Sequence, residues 1–269
     1  MHAHFLDPYR HRRSLVHALD ARVKLVLAVA FIVTTALARP GAWPVYVLLF
    51  AVVLSVVLLS ELGVGFVMKR AVLAAPFVLA AAPLMFTTPG DALASLPVGP
   101  WTLTLSSPGL ARFASVALKS WLSVQMAIVL ASTTPFPQLL AAMRGLRLPK
   151  LLVAVIGLMW RYLFVLVDEV LRLMRAREAR SGRAEAGGRN DGRVGGSLAW
   201  RARVTGGMAG NLMLRSFDRS ERIYAAMAAR GYDGEVRGME RPPISGPAWA
   251  VLGGGLLLLI LIMLLGLVL

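Results

Sequence analysis

Two arginines carry the chemistry most open to reading. Arg180 and Arg230 each close a long basic stretch, in Ala179-Arg180-Ser181-Gly182 and Ala229-Arg230-Gly231. A guanidinium stays charged and makes forked hydrogen bonds to carboxylates and carbonyls, so its chemistry here is recognition. In Gly210 to Gly234, the residues Met213, Phe217, Tyr224 and Met227 are spaced by four, seven and three, which is one helical face. Asp218 and Arg222 stand at i and i+4 on the other side. Gly231 follows Arg230 where a C′ glycine ends a helix, so Arg230 projects from the last turn. Two readings are open at this point. A cation at a helix C-terminus is favoured by the helix dipole, and a helix tip can equally be offered to a partner.

Other chemistry is sparse. There is no GxxxxGK[ST] phosphate loop, no HExxH and no GxSxG, and Gly63 and Gly65 stand apart from any dinucleotide fingerprint. No cysteine is present, which excludes disulfides and thiolate metal sites. His2, His4, His11 and His17 all fall in the first 17 residues. His2 and His4 suggest a divalent-metal site, but only Asp7 is at hand as a carboxylate, so a solvated tail is the expectation. The apolar runs contain no Asp, Glu or His. Beyond Lys24, which enters the first run, their only basic candidates are Arg112 and Lys119, so neither a proton relay nor an intramembrane enzyme is expected. No catalytic, cofactor or metal-binding residue is expected in this chain.

The elements that position the two arginines follow from hydropathy. The chain is 57% hydrophobic and 16% charged over 269 residues, more apolar surface than a soluble domain could hide. Apolar runs lie at Val23–Ala38, Trp43–Leu59, Ala71–Phe86, Leu110–Ser132 and Gly246–Leu269, giving about five transmembrane helices. The Ala36-Leu37-Ala38 triplet resembles a signal-cleavage site, yet the leading region carries Asp7 and Asp20 and more spans follow, so the first run reads as an uncleaved helix. Trp43 and Tyr46 are interfacial aromatics, and Pro76 and Pro83 should kink the third span. Thr87 to Pro108 reads as a loop in which WTLTLSS alternates like a strand, and Phe136 to Leu146 as a short amphipathic helix.

Net charge is +15, and its distribution assigns sides. The basic N-terminal tail goes inside, as do Lys69 with Arg70, and Arg144, Arg147 and Lys150; the 87–109 loop, without Lys or Arg, goes outside. If Leu151–Val167 also crossed, residues 168–245 with fifteen arginines would lie outside, and Arg161 would sit mid-membrane at about 2.5–3.5 kcal/mol. Residues 151–180 are therefore expected as one long cytoplasmic helix. A Gly- and Arg-rich linker follows from Gly182 to Gly196, then a second helix, Leu198 to Arg230, with a break expected near Gly206-Gly207. The expected fold is an all-α polytopic membrane protein with two long cytoplasmic helices between the fourth and fifth spans. Its parts are a cytoplasmic N-terminal segment (1–22), a four-span membrane domain (23–132), a cytoplasmic coupling domain (133–245) and a C-terminal transmembrane helix (246–269).

Four stretches together resemble the T component of energy-coupling factor (ECF) transporters, and within it the cobalt-type CbiQ subunit. They are LDPYRHRRSLVHALDARVKL at 6–25, with Ser14, His17, Asp20, Arg22, Lys24 and Leu25 in the family's entry pattern; TTPFPQLLAAMRGLRLP at 133–149; MWRYLFVLVDEVLRLMRAREARSG at 159–182; and 210–234. Each is weak alone, and in this order they are specific.

The resemblance implies a multi-pass scaffold in the bacterial inner membrane, with its N-terminus in the cytoplasm. Its implied partners are two copies of a cytoplasmic ABC ATPase (CbiO-like), a membrane substrate-binding subunit (CbiM-like) and a small CbiN-like subunit. ATP would be bound by the ATPases, with no cofactor in this chain. It also implies that two Ala-Arg-Gly-like helix ends dock into the ATPases. These map onto Ala229, Arg230 and Gly231 without change, and onto Ala179, Arg180 and Ser181, where Ser stands for the usual Gly. The substrate implied is cobalt or nickel, with a vitamin-type ECF transporter as the alternative. The rival of another class is a membrane protein whose basic domain binds anionic lipid or nucleic acid; the scaffold reading has no nucleic-acid partner.

Overall fold

A computed structural model of the chain describes residues 8–89, 92–98, 101–180, 198–234 and 243–268. The chain divides into two compact units, Asp7–Leu146 with Arg241–Leu269, and Arg147–Glu240.

In the first unit a four-residue helix, α1 (Leu15–Ala18), leads into α2 (Ala21–Leu37) and α3 (Trp43–Leu59). Next comes a broken helix: α4 (Val64–Ala71), a 3₁₀ turn (Val72–Ala74), α5 (Ala75–Ala81) and α6 (Leu84–Thr87). Pro76 opens α5 and Pro83 caps α6, so the breaks lie at the two prolines, whose rings cannot continue an i→i−4 ladder. This segment begins at Val64, seven residues before the expected Ala71. Lys69 and Arg70 therefore lie inside its first helix, where Arg70 and Arg10 both stack on Phe66 at 4.4 and 3.7 Å.

The expected loop after it holds an antiparallel hairpin, β1 (Ala92–Val98) with β2 (Trp101–Ser106), paired from Val98 with Trp101 back to Ala92 with Ser106. The strand-like WTLTLSS alternation is thus one half of a pair. The unit is completed by α7 (Ser107–Thr133), α8 (Phe136–Gly145) and α11 (Gly246–Val268).

The helices α2, α3, α7 and α11 pack around Phe31, Leu49, Val53, Leu122, Val129 and Ile262, while α4 to α6 lie against α7. Outward residues such as Val47, Leu58, Leu257 and Ile260 stay exposed. An apolar exterior gains nothing from helix association when the solvent is lipid, so close packing and hydrogen bonds must hold such a bundle. Gly255 lets Leu27 approach, and Gly266 lets Val45 approach. At the α2–α3 corner Lys119 donates to the carbonyls of Ala36 (3.1 Å) and Ala38 (2.5 Å), Tyr46 to Arg39 O (2.9 Å), and Gly41 N–H to Ser115 Oγ (3.0 Å). Arg39 donates to Leu267 O at the end of α11. Lys119 is thus a helix-end cap, its charge set against the last carbonyls of α2.

The second unit holds α9 (Lys150–Arg180) and α10 (Leu198–Ala228). Gly206 and Gly207 lie inside unbroken α10, contrary to the expected break; two glycines weaken a helix by about 1 kcal/mol each without ending it.

By length and apolar composition, Val64–Thr87, α7, the Lys150–Arg177 part of α9 and α11 are each sufficient to cross a membrane. The 17-residue α2 and α3 reach about 25 Å. The chain is an almost wholly helical multi-pass membrane protein.

Candidate functional site

The end of α10 is built from backbone hydrogen bonds. Tyr232 N–H donates to Met227 O (3.1 Å) and Gly231 N–H to Ala228 O (3.0 Å), with Gly231 at φ +78°. This 6→1 and 5→2 pair is a Schellman motif with Gly231 at C′ and Arg230 as the cap residue. Ala229, Arg230 and Gly231 are all exposed, so the guanidinium stands at a sharply terminated tip. Nothing approaches the position of a Gly231 Cβ within 4 Å, so only its left-handed backbone requires glycine. Gly231→Ala should therefore cost about 1–2 kcal/mol locally, read as faster amide exchange at residues 229–232 with the rest of the protein unchanged.

The first expected tip is described in part. Helix α9 runs through exposed Ala179 to Arg180, while Ser181, the Arg180 side chain and the Gly182–Gly196 linker lie outside the described residues. Within the unit, Arg215 of α10 donates to Glu169 of α9 at 2.8 Å, and Arg172 stands 3.7 Å from the same carboxylate. Arg215 and Arg172 are mostly exposed, so each pair contributes no more than about 1 kcal/mol. Over the second half of α10 the half-buried stripe is Leu212, Ser216, Arg219, Ile223 and Met227, spaced by four, three, four and four. Met213, Leu214, Phe217 and Tyr224 are left exposed. Of the four apolar residues singled out by spacing, only Met227 belongs to the covered stripe.

The N-terminal motif forms a second constellation, whose geometry the sequence reading did not derive. Ser14 caps α1 and its hydroxyl meets His17 Nδ1 at 2.7 Å, while His17 Nε2 meets Arg10 O at 3.0 Å. The carbonyl can only accept, so Nε2 carries the proton and Nδ1 accepts from Ser14. Asp20 caps α2 by accepting from Arg22 N–H at 2.8 Å. The Arg22 side chain crosses Gly145 at the end of α8, where a Cβ would come to 3.0 Å from Nε. Lys24 donates to Thr133 O (3.1 Å), and Arg10 N–H to Ser132 O (2.9 Å). The motif thus ties α1, α2 and α8 to the last carbonyls of α7. The signal that could have found it was the S…H.lD.R.KL pattern itself, which places one cap and one cation after another.

Burial lowers the pKa of His17 from 6.5, partly offset by its bond to the Arg10 carbonyl. The folded state then binds a proton less readily than the unfolded one. This contribution to stability is full above about pH 6.5 and is lost as pH falls below it. Melting temperature in detergent should decline below pH 6.5 for the wild type, and less steeply for His17→Gln.

Among the described residues no three His, Asp or Glu side chains gather as metal ligands. His2 and His4 lie outside the described residues. Arg112 is exposed near the start of α7.

A family model described as cobalt transport protein, CbiQ, matches residues 12–241. The chain belongs to the CbiQ family. Among its curated relatives is the cobalt transport protein CbiQ of Rhodobacter capsulatus, 30% identical over 169 residues, or 63% of this chain and 64% of that one. The match thus spans somewhat less than two thirds of that relative. The energy-coupling factor transporter transmembrane protein EcfT of Lactococcus lactis is 28% identical over 232 residues, covering 82% of this chain and 81% of that one. The nickel permease LarQ of Lactiplantibacillus plantarum is 34% identical over 102 residues, 38% of this chain and 33% of that one. The CbiQ match takes in the N-terminal constellation from Arg12 onward, α9, α10 and the Schellman end, and stops before α11.

Proposed function

We propose that this chain is the transmembrane scaffold of an ECF-type importer for cobalt or nickel. In this reading it passes the ATP-driven motion of two cytoplasmic CbiO-like ATPases to a CbiM-like substrate-binding subunit, with a small CbiN-like subunit alongside. The observation that carries it is the exposed, Schellman-terminated tip with Arg230 at the end of a long helix, in a chain of the CbiQ family. The chain itself is non-catalytic in this scheme; ATP is bound and hydrolysed by the partners.

The N-terminus, α9 and α10 lie on the cytoplasmic side, because the fifteen arginines of residues 168–245 would otherwise be outside. When the ATPases close on ATP, the tips bearing Arg180 and Arg230 follow the two halves. Contacts between α9 and α10 that are individually weak, such as Arg215 with Glu169, let the tips move separately. The docking residues are Ala179, Arg180 and Ser181 at one end and Ala229, Arg230 and Gly231 at the other.

Reconstitution of the chain with an ATPase pair and a candidate substrate subunit tests this. ATP-dependent accumulation of cobalt or nickel in vesicles is expected only when all three are present. Accumulation that is unchanged without this chain would remove the scaffold role. A vitamin-type ECF transporter is the second reading; vitamin uptake in place of metal uptake in the same vesicles would select it.

A further inference from the structure

We propose that Arg10 and Arg70, stacked on the single ring of Phe66, form a clamp for the phosphate of an anionic phospholipid at the membrane boundary. The arrangement begins with the backbone of Arg10. Its N–H donates to Ser132 O at 2.9 Å and its carbonyl accepts from His17 Nε2 at 3.0 Å, so the residue is fixed on both sides independently of its side chain. From there its guanidinium lies 3.7 Å from the centre of the Phe66 ring. Arg70 stands four residues after Phe66 on α4, and helical side chains lean towards the N-terminus. Its guanidinium folds back one turn onto the same ring, at 4.4 Å. Two positive charges are thus brought to one phenyl group from different segments of the chain.

This pair lacks an anion. Like charges held so close repel, and the quadrupole of one ring offsets only part of that. Among the described residues no carboxylate forms an ion pair with Arg10, Arg70 or the neighbouring exposed Lys69. The acidic residues of the adjoining elements are Asp20, which caps α2 and stands 3.9 Å from Arg22, and the exposed Glu61 between α3 and α4. Stacking uses the face of a guanidinium and leaves the N–H donors around its edge. Neither side chain donates to another described residue, and both are exposed, so those edges are open to a ligand.

Place selects the anion. Val64–Thr87 is long and apolar enough to cross a membrane, so Phe66 and Arg70 fall in its first two turns, at the depth of lipid headgroups. The anion concentrated there is the lipid phosphate, which guanidinium forks bind through paired hydrogen bonds. Two cations without an acid favour a headgroup of net negative charge over a zwitterionic one, whose own ammonium would stand beside an arginine. The clamp requires only that the chain is a membrane protein and stands apart from the transport reading.

Native mass spectrometry of the full chain, released from detergent with phosphatidylglycerol, phosphatidylcholine or inorganic phosphate added, tests this. One phosphatidylglycerol is expected to stay bound at roughly tenfold lower lipid concentration than phosphatidylcholine of the same chains. Arg10→Gln with Arg70→Gln should remove that preference. Arg12→Gln with Arg13→Gln, which takes as much charge from exposed positions of the same N-terminal segment, should keep it. Phe66→Leu leaves the charge unchanged but removes the ring, and should weaken retention several-fold; Phe66→Tyr, which keeps the ring, should not. Equal loss in the Arg12 and Arg13 variant means diffuse attraction to a basic surface and overturns the clamp, as does retention indifferent to Phe66→Leu. Equal retention of the two lipids overturns the headgroup assignment. Displacement of the lipid by millimolar inorganic phosphate assigns the site to a soluble anion and overturns the lipid occupant. Loss of the bound lipid when the ATPase pair is added assigns the two arginines to that partner and also overturns it.

Discussion

Reversing charge at both helix ends, Arg180→Glu with Arg230→Glu, is expected to abolish co-purification of the partner ATPase and the uptake that depends on it. Each guanidinium is expected at the end of a long helix and, in the docked state, inside an interface. Removing one member of a buried, hydrogen-bonded charge pair costs about 2–5 kcal/mol, and an introduced carboxylate adds repulsion to any acidic partner. Two such joints lost together amount to more than about a thousandfold in affinity by the same measure, beyond what a pull-down detects. Lysine at either position keeps the charge and loses the fork, so Arg230→Lys should weaken retention without abolishing it.

Arg189 and Arg193, in the Gly-rich linker, serve as controls. Their Gln variants should retain the ATPase, because a general electrostatic attraction would fade with any arginine while a docked tip depends on its own. Should the double Glu variant, still inserted in the membrane, bring down the ATPase as well as the wild type does, the helix ends are not the joint. If all four arginines contribute equally, the basic-surface reading replaces it.

The second large effect concerns stability and separates two glycines that look alike. Gly109→Ala is expected to lower the melting temperature in detergent by several degrees, while Gly255→Ala changes it by less than about two. A Cβ on either would meet a heavy atom at 2.7 Å. At Gly255 that atom is Cδ2 of Leu27, the far end of a side chain that can turn aside. At Gly109 the next neighbours are backbone, Met85 O at 2.8 Å and Leu84 O at 2.9 Å.

The Leu84 carbonyl is also held from behind. Thr88 Oγ1 donates to Leu84 O, and Ser106 Oγ both accepts from Gly109 N–H (3.1 Å) and donates to Thr88 O (2.7 Å). The first turn of α7 is therefore locked against α6 and cannot give without breaking its own cap. Overpacking of this kind costs about 1–3 kcal/mol. Equal shifts in the two variants would mean that the α6–α7 contact yields more easily than its hydrogen bonds imply.

What the sequence determined by itself is local. The boundaries of α3 at Trp43 and Leu59, the run of α8 from Phe136, the extent of α9 and the glycine-terminated end at Gly231 all follow from the length of apolar runs and the backbone preferences of Pro and Gly. The kinks at Pro76 and Pro83 belong with them, since a missing N–H acts within one turn.

Tertiary structure decided the rest, because it depends on residues far apart along the chain. Lys24 meets Thr133 across 109 positions, which turned a basic residue at the start of a span into a cap for α7. Phe66 lies between two arginines from different segments, so Lys69 and Arg70 fall within a helix where charge alone suggested a loop. The hairpin partner of Trp101–Ser106 was hidden because Ala92–Val98 is made a strand by pairing and contains a proline that weakens its own strand signal. On α10 the spacing of Met213, Phe217 and Tyr224 defined a face, yet Leu212, Ser216, Arg219 and Ile223 are the residues covered. Periodicity fixes which side chains share a face; which face is buried depends on the neighbour that arrives.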